Sequence, residues 1–177
     1  MNEKKEALEL EVRRDIFDKI SEYPGTYLRE IQNDLDLSIG QAEYHLNFLE
    51  GKGILSSKKI GNKKRYFVDD EVDYPDRNII SILRQKIPRQ ILIKLLNEEE
   101  AGFSEIFKDV DISKSTLSFH LKKLKKRGLI DFKKEGRKMI YHCTEDKKIA
   151  QVLITYRSSF IDKAVDRFVD TWMEMKK

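Results

Sequence analysis

Positive charge is concentrated between residues 113 and 140. This segment holds ten Lys or Arg residues against Asp131 and Glu135, a local net charge of +8, whereas the whole chain of 177 residues carries only +4. Closely spaced ammonium and guanidinium groups can neutralise phosphates, which positions a protein on a nucleic acid. Lysine runs are also common on solvated surfaces, so the charge alone leaves both interpretations open.

Residues suited to metal binding or catalysis are scarce. The candidates for metal ligands are His45, His120, His142 and Cys143. Zinc needs three or four converging ligands, yet His142 and Cys143 are neighbours on a predicted strand and point to opposite faces. The chain also has no glycine-rich phosphate loop, no nucleophile elbow and no acid pair on a shared face. We expect no metal, no cofactor and no enzymatic activity.

The chain repeats itself after 75 residues. A shift of that length aligns residues 12–68 with residues 87–143 without a gap, and 17 of the 57 positions are identical. The strongest match pairs residues 38–49 with residues 113–124, so His45 and His120 take the same place in two copies. The period is too long for a solenoid repeat and suits a compact module, which indicates a duplicated domain.

Each copy has the pattern of three helices followed by a hairpin. Apolar residues at helical spacing predict first helices near residues 8–22 and 88–97, and short second helices follow at 27–34 and 103–110. Third helices begin after the caps Ser38 and Ser113 and end near Gly53 and Gly128. Two strands joined at Gly61-Asn62 or Gly136-Arg137 complete each copy.

Both copies contain Ser-x6-His-Leu-x2-Leu-x3-Gly followed by an apolar pair, and then Gly-x-Lys-x2-Tyr. This pattern resembles the winged helix-turn-helix of ArsR/MarR-like prokaryotic regulators. Two such modules in one chain resemble the tandem winged-helix regulators of archaea. The resemblance covers residues 12–68 and 87–143. It implies that the third helix enters the major groove and that the wing contacts the DNA backbone or minor groove.

Physical chemistry leads to the same candidate interface, because outward side chains of a helix in the major groove can reach base edges. Gln41 and Asn47 can bond adenine, and Thr116 can contact a thymine methyl group, while the lysines suit phosphates. In the first copy the predicted DNA contacts are Gln41, Tyr44, Asn47, Lys58, Lys59, Lys63, Lys64 and Arg65. In the second they are Lys114, Ser115, Thr116, Ser118, Phe119, Lys122, Lys123, Lys126, Lys133, Lys134, Arg137 and Lys138.

The two copies differ in charge at the third helix. Residues 38–53 carry Glu43 and Glu50 against Lys52 alone, a net charge of −1, in contrast to the basic helix of the second copy. We therefore expect the second copy to bind DNA. For the first copy, base contacts, a DNA contact by its wing alone, or docking of a protein all stay open.

The C-terminal segment, residues 145–177, has no counterpart in the repeat. Apolar residues at helical spacing predict one long amphipathic helix, with Ile154, Ile161, Val165, Phe168 and Trp172 in its apolar stripe. An apolar stripe of this kind must pack against another apolar surface to be shielded from water. It can pack against the chain's own modules, join two chains into a homodimer, or bind a component of the transcription machinery. We expect the homodimer, as helices outside the winged core form in the resembling families.

These observations predict a mainly α fold with small β-hairpin wings. We expect a first winged-helix domain over residues 1–70, a linker and short helix over 71–86, a second winged-helix domain over 87–144 and a C-terminal helix over 145–177. Double-stranded DNA is the expected partner, and transcriptional regulation the expected function. A protein-docking module and a small-molecule-gated repressor are the alternatives. One cysteine and the lack of a membrane-length apolar run suit a cytoplasmic protein.

Overall fold

The structure is a computed structural model that describes residues 6–160 and 162–175, without the side chain of Met175. Its contacts divide the chain into two compact units, the first extending to Ser81 and the second beginning at Ile82. Each unit contains one copy of the sequence repeat. The second unit also contains the C-terminal segment.

The first unit has the predicted three helices and a small sheet. Its elements are α1 (Glu11–Glu22), β1 (Thr26–Tyr27), α2 (Leu28–Asp34), α3 (Ile39–Gly51), β2 (Leu55–Ile60) and β3 (Lys63–Val68). The strands form an antiparallel sheet in the order β1-β3-β2, with Ser57 opposite Tyr66 in the hairpin. The short strand β1 was not predicted, because a two-residue strand leaves no alternation in the sequence.

The second unit repeats this order and then adds two helices. Its elements are α5 (Lys86–Glu98), β4 (Glu100–Gly102), α6 (Phe103–Asp109), α7 (Lys114–Lys126), β5 (Ile130–Glu135), β6 (Lys138–Cys143), α8 (Asp146–Thr155), a 3-10 turn (Arg157–Ser159) and α9 (Lys163–Met175). The sheet order β4-β6-β5 matches that of the first unit. The prediction of tandem winged helix-turn-helix domains is confirmed.

Equivalent positions of the repeat form both cores. Ile16, Ile20, Ile31, Leu46 and Leu49 are buried in the first unit, as are Ile91, Leu95, Ile106, Leu121 and Leu124 in the second. These residues come from the first three helices of each unit. Removing their apolar surface from water is the main favourable contribution to each module.

Two polar interactions explain why certain residues outside the cores are identical in both copies of the repeat. Lys19 forms an ion pair with Asp34 at 2.7 Å, and the equivalent Lys94 pairs with Asp109 at 2.5 Å. Each pair joins the first helix of its module to the second. The carboxylates of Glu30 and Glu105 accept hydrogen bonds from the backbone N–H groups of residues 27 and 102, which caps the second helix.

Two predictions about the remaining segments need correction. The region between the repeats, expected to hold a linker and a short helix, is helical from Tyr74 to Leu83 (α4), so this helix includes much of the expected linker. Pro75 lies in its first turn, where the missing N–H group costs no helical hydrogen bond. The C-terminal segment is not one long helix, because it forms two separate helices, α8 ending at Thr155 and α9 beginning at Lys163. This break lets α9 pack against α5 and α8.

Candidate nucleic-acid interface

Helix α7 presents one face to the core and the other to solvent. Ser113 caps it, since the Ser113 hydroxyl accepts a hydrogen bond from the backbone N–H of Thr116 at 3.2 Å. Leu117, Leu121 and Leu124 are buried at helical spacing beneath it. The cap and the apolar stripe therefore fix which side chains point outward, as the sequence predicted.

Many cations of the second unit are exposed and unpaired. Among the described residues, their side chains have no hydrogen bond and no ion pair. They are Lys122, Lys126 and Arg127 on and after α7, and Lys134, Arg137 and Lys138 on the wing formed by β5 and β6. Arg137 lies in the turn of the wing, next to Gly136. These six groups can approach phosphates without breaking an interaction within the protein.

Other cations of the second unit are already engaged. Lys123 donates a hydrogen bond to the side chain of Gln85 at 2.9 Å. Lys133 pairs with Glu100 at 2.7 Å and with Glu135 at 3.2 Å. Lys123 and Lys133 were both predicted to contact DNA, and each would have to give up these partners to do so.

The small polar residues of α7 lie close to its N-terminus. The hydroxyls of Ser115 and Thr116 lie 2.9 and 2.8 Å from that of Ser113. Ser118 is half-buried, and Lys114 is exposed. Phe119 is 60% exposed, an unusual position for a phenylalanine ring. Of the predicted residues of α7, Lys114, Ser115, Phe119, Lys122 and Lys126 are thus exposed, whereas Thr116, Ser118 and Lys123 are half-buried.

Helix α3 of the first unit presents a surface with less charge. Ser38 and Gln41 form a reciprocal cap, in which Ser38 Oγ accepts from the Gln41 N–H and Gln41 Oε1 accepts from the Ser38 N–H. The Gln41 amide is therefore partly engaged by its own helix. Tyr44, 61% exposed, and the exposed Asn47 are the other predicted contacts on this helix.

The cations on the wing of the first unit are mostly held by their own module. Lys58 lies 4.0 Å from the centre of the Tyr74 ring, and Lys63 lies 3.6 Å from that of Tyr27. Lys64 pairs with Glu50 at 2.6 Å. Burial disfavours the charged form of Lys64, but its hydrogen bond with Glu50, together with its other interactions with Glu50 and Tyr66, outweighs this effect and raises its pKa. The exposed Lys59 has no such partner in the described part of the chain.

Arg65 does not belong to the candidate interface. It was predicted to contact DNA, but it is only 5% exposed, and its guanidinium donates a hydrogen bond to the Gly25 carbonyl at 2.7 Å. It supports the turn before β1. Its counterpart in the second unit is Ile140, an apolar residue on β6. That difference was a signal in the sequence that this position faces inward.

The two equivalent histidines lie within the third helices. The Nδ1 atoms of His45 and His120 are buried and have no hydrogen-bond partner among the described residues. Burial lowers the pKa of both rings, and the positive charges of Arg13 and Lys123 add to the effect for His45 and His120 respectively. Both rings therefore favour the neutral form.

The described residues do not form a cluster of metal ligands. No group of three or more His, Cys, Asp or Glu side chains is close enough to hold a metal ion in residues 6–160 and 162–175. Burial raises the pKa of Cys143 to about 12, so its thiol stays protonated. No helix in the same ranges has the length and apolar character needed to cross a membrane.

The candidate interface of the C-terminal segment is largely covered within the chain. Val165 and Phe168 are buried in the second unit, while Ile154 and Trp172 are half-buried. Ile161 lies outside the described residues. Packing against the chain's own module therefore accounts for the two most buried members of the stripe. Homodimerisation stays a prediction.

A cleft next to the wing of the second unit was not foreseen. It has a volume of about 370 Å³ and lies between the start of α6 and strand β6. Phe103, Met139, Ile140 and Tyr141 supply its apolar lining, and Arg137 and Lys138 lie beside it. Its lining residues are far apart in the sequence, so only the fold brings them together.

Three helices followed by a hairpin, present twice, define a tandem winged helix-turn-helix protein. Residues 10–80 match the family model of an N-terminal HTH domain, and residues 89–131 match that of the bacterial regulatory protein, arsR family. The chain thus contains two helix-turn-helix domains, the second of the ArsR type.

Similar proteins are known from archaea, bacteria and viruses. The chain is 31% identical over 135 residues to the uncharacterized HTH-type transcriptional regulator MJ1398 of Methanocaldococcus jannaschii, covering 76% of this chain and 34% of that protein. It therefore spans about a third of this relative's length. Solved structures similar to the chain include HlyU from Vibrio cholerae, with a TM-score of 0.42 and 25% identity over 49% of this chain and 95% of that one. Another is the hypothetical protein PyrSV_gp04 from Pyrobaculum spherical virus, with a TM-score of 0.41 and 17% identity over 80% and 97%.

Proposed function

We propose that the protein is a DNA-binding transcriptional regulator in which the second unit is the main DNA anchor. The observation that carries this proposal is the set of six exposed cations on and around α7 and its wing that have no ion-pair or hydrogen-bond partner among the described residues. A folded protein gains little stability from such a concentration of like charge. The negative phosphates of a DNA duplex would neutralise these positive charges. The helix-turn-helix family matches and the HTH-type regulator among the relatives support the same function.

The proposed complex follows from the dimensions of DNA. An α-helix fits the major groove, so α7 enters it with Ser115, Ser118 and Phe119 toward the bases. Lys122, Lys126 and Arg127 then bind phosphates and set the position of the helix. Arg137, in the turn of the wing, suits a narrow minor groove, where the negative potential is strongest.

The first unit contributes less to DNA affinity in this proposal. Its α3 carries Glu43 and Glu50 but no cation, and aromatic rings or Glu50 already engage Lys58, Lys63 and Lys64. This unit therefore adds few phosphate contacts. Docking of a protein component of transcription is the second candidate function, and the engaged cations of the first wing are the observation that favours it.

Selection of bound duplexes from a randomised pool, followed by titration at several salt concentrations, tests the proposal. Six phosphate contacts predict that log affinity falls with log salt with a slope of about −5. Failure to bind any duplex at low salt contradicts the proposal. Binding with a slope close to zero contradicts it as well, because the exposed cations would then make no phosphate contacts.

A further inference from the structure

One exposed aromatic residue occupies the same position in both third helices. Tyr44 of α3 is 61% exposed and the equivalent Phe119 of α7 is 60% exposed. Neither ring contributes to a core. A large apolar ring left in water on two equivalent helices requires an explanation outside the fold of the module itself.

The position of these rings on the helix is also the same. Each follows a buried core residue, Ala42 or Leu117, by two places. At roughly 100° per residue, two places correspond to about 200°, which puts the aromatic residue opposite the core. Tyr44 and Phe119 thus lie at the centre of the outward face, the part of a recognition helix that goes deepest into a groove.

Each ring contacts the histidine that follows it, and the geometry of the contact is similar in both helices. The Tyr44 and His45 rings meet edge to face at 73°, with centroids 5.1 Å apart. The Phe119 and His120 rings do so at 75° and 5.4 Å. The outward positions around them nevertheless differ between the units, with Gly40, Glu43, Asn47 and Gly51 replaced by Ser115, Ser118, Lys122 and Lys126. The aromatic ring is therefore the feature that both outward faces share.

We propose that Phe119 and Tyr44 are specificity-determining residues that contact the 5-methyl groups of thymine. The inference rests on the proposed function. A phenylalanine ring has no hydrogen-bonding group, so Phe119 cannot read the donors and acceptors of a base edge. The apolar group that the major groove offers is the thymine methyl, and apolar side chains recognise it. Small neighbours such as Ser115 and Ser118 leave the Phe119 ring accessible.

Deoxyuridine substitution tests the contact directly, because uracil differs from thymine only by this methyl group. The probe is a duplex selected from a randomised pool by the unaltered full chain, with each thymine replaced in turn by deoxyuridine. We expect one or more replacements to weaken binding about fourfold, the scale of burying one methyl group. Phe119→Ala or Tyr44→Ala should remove the effect at one of these positions, whereas Phe119→Tyr should retain it.

Met173→Ala is the matched control, since Met173 is an exposed apolar residue on α9 and belongs to neither third helix. It should leave the response to every replacement unchanged. If duplexes bind with the expected salt dependence but no replacement matters, or if the response survives both alanine substitutions, the methyl contact is refuted and the DNA-binding function stands. If no duplex binds, both the function and this inference fail.

Discussion

The guanidinium of Arg89 and the carboxylate of Asp162 form a largely buried ion pair. Arg89 Nη2 and Nε lie 2.7 and 3.0 Å from the same oxygen, Asp162 Oδ2, and Arg89 Nη1 donates a hydrogen bond to the Leu83 carbonyl at 2.7 Å. Burial acts to raise the pKa of Asp162, but hydrogen bonds from the Ala164 N–H and Arg89 outweigh it and lower that pKa. The pair fastens the start of α9 to α5.

Arg89→Gln should destabilise the second unit by about 3 kcal/mol, because it leaves the Asp162 charge without its partner in a buried site. Denaturant unfolding followed by fluorescence of Trp172, the chain's one tryptophan, measures this loss. Arg157→Gln is the matched control, as Arg157 pairs with Asp166 and Asp170 at the surface. It should barely move the midpoint. Equal shifts for both variants would show that burial of the Arg89 pair has no special importance.

Arg65→Ala should reduce stability without a specific effect on DNA binding. The substitution removes a charged hydrogen bond to the Gly25 carbonyl, and the expected loss is about 2 kcal/mol in the free energy of unfolding. Circular dichroism measures unfolding, and titration below the transition measures affinity for a selected duplex. Lys59→Ala, on the same wing but exposed, should leave stability unchanged. A large loss of affinity by folded Arg65→Ala would restore Arg65 to the interface.

The two histidines should make the protein less stable in mild acid. Their pKa values are lowered in the folded chain, so the unfolded chain binds more protons as the pH falls through about 6.5. Stability should therefore fall between roughly pH 7 and pH 5. Thermal melting of the His45→Gln, His120→Gln double variant should show a smaller pH dependence than the unaltered chain. An equal pH dependence of stability in the double variant and the unaltered chain would show that other titrating groups cause the effect.

The duplication let the sequence predict most of the fold. Identical residues at a spacing of 75 marked the cores at Ile16 and Ile91, and the same comparison marked the caps Ser38 and Ser113. The ion pair of Lys94 with Asp109 explains an identity whose reason was not apparent, since its partners are 15 residues apart and meet only after the helices pack. Local periodicity was therefore sufficient for the three helices of each repeat.

The sequence was less informative where tertiary contacts determine whether a side chain is exposed or where a helix ends. The sequence of a strand does not show whether a lysine or arginine is exposed, yet Lys59 is exposed while Arg65 is buried against Gly25. Only the fold shows which cations remain unpaired. The spacing of apolar residues in the C-terminal segment likewise predicted one continuous helix. The interruption after α8 follows from the packing of Phe160 and Phe168 in the second unit, where both side chains are buried.

The most direct test of DNA anchoring by the second unit compares charge substitutions at equivalent positions of the two third helices. One variant carries Lys122→Gln with Lys126→Gln, and the other carries Asn47→Glu with Gly51→Glu, so that both lower the net charge by the same amount. All four positions are exposed. Fluorescence anisotropy with a labelled, selected duplex at roughly 0.1 M salt should show a loss of about a hundredfold for the α7 variant and a distinctly smaller loss for the α3 variant. Unchanged binding by the α7 variant, or equal losses by both, would contradict the assignment of the second unit as the main anchor.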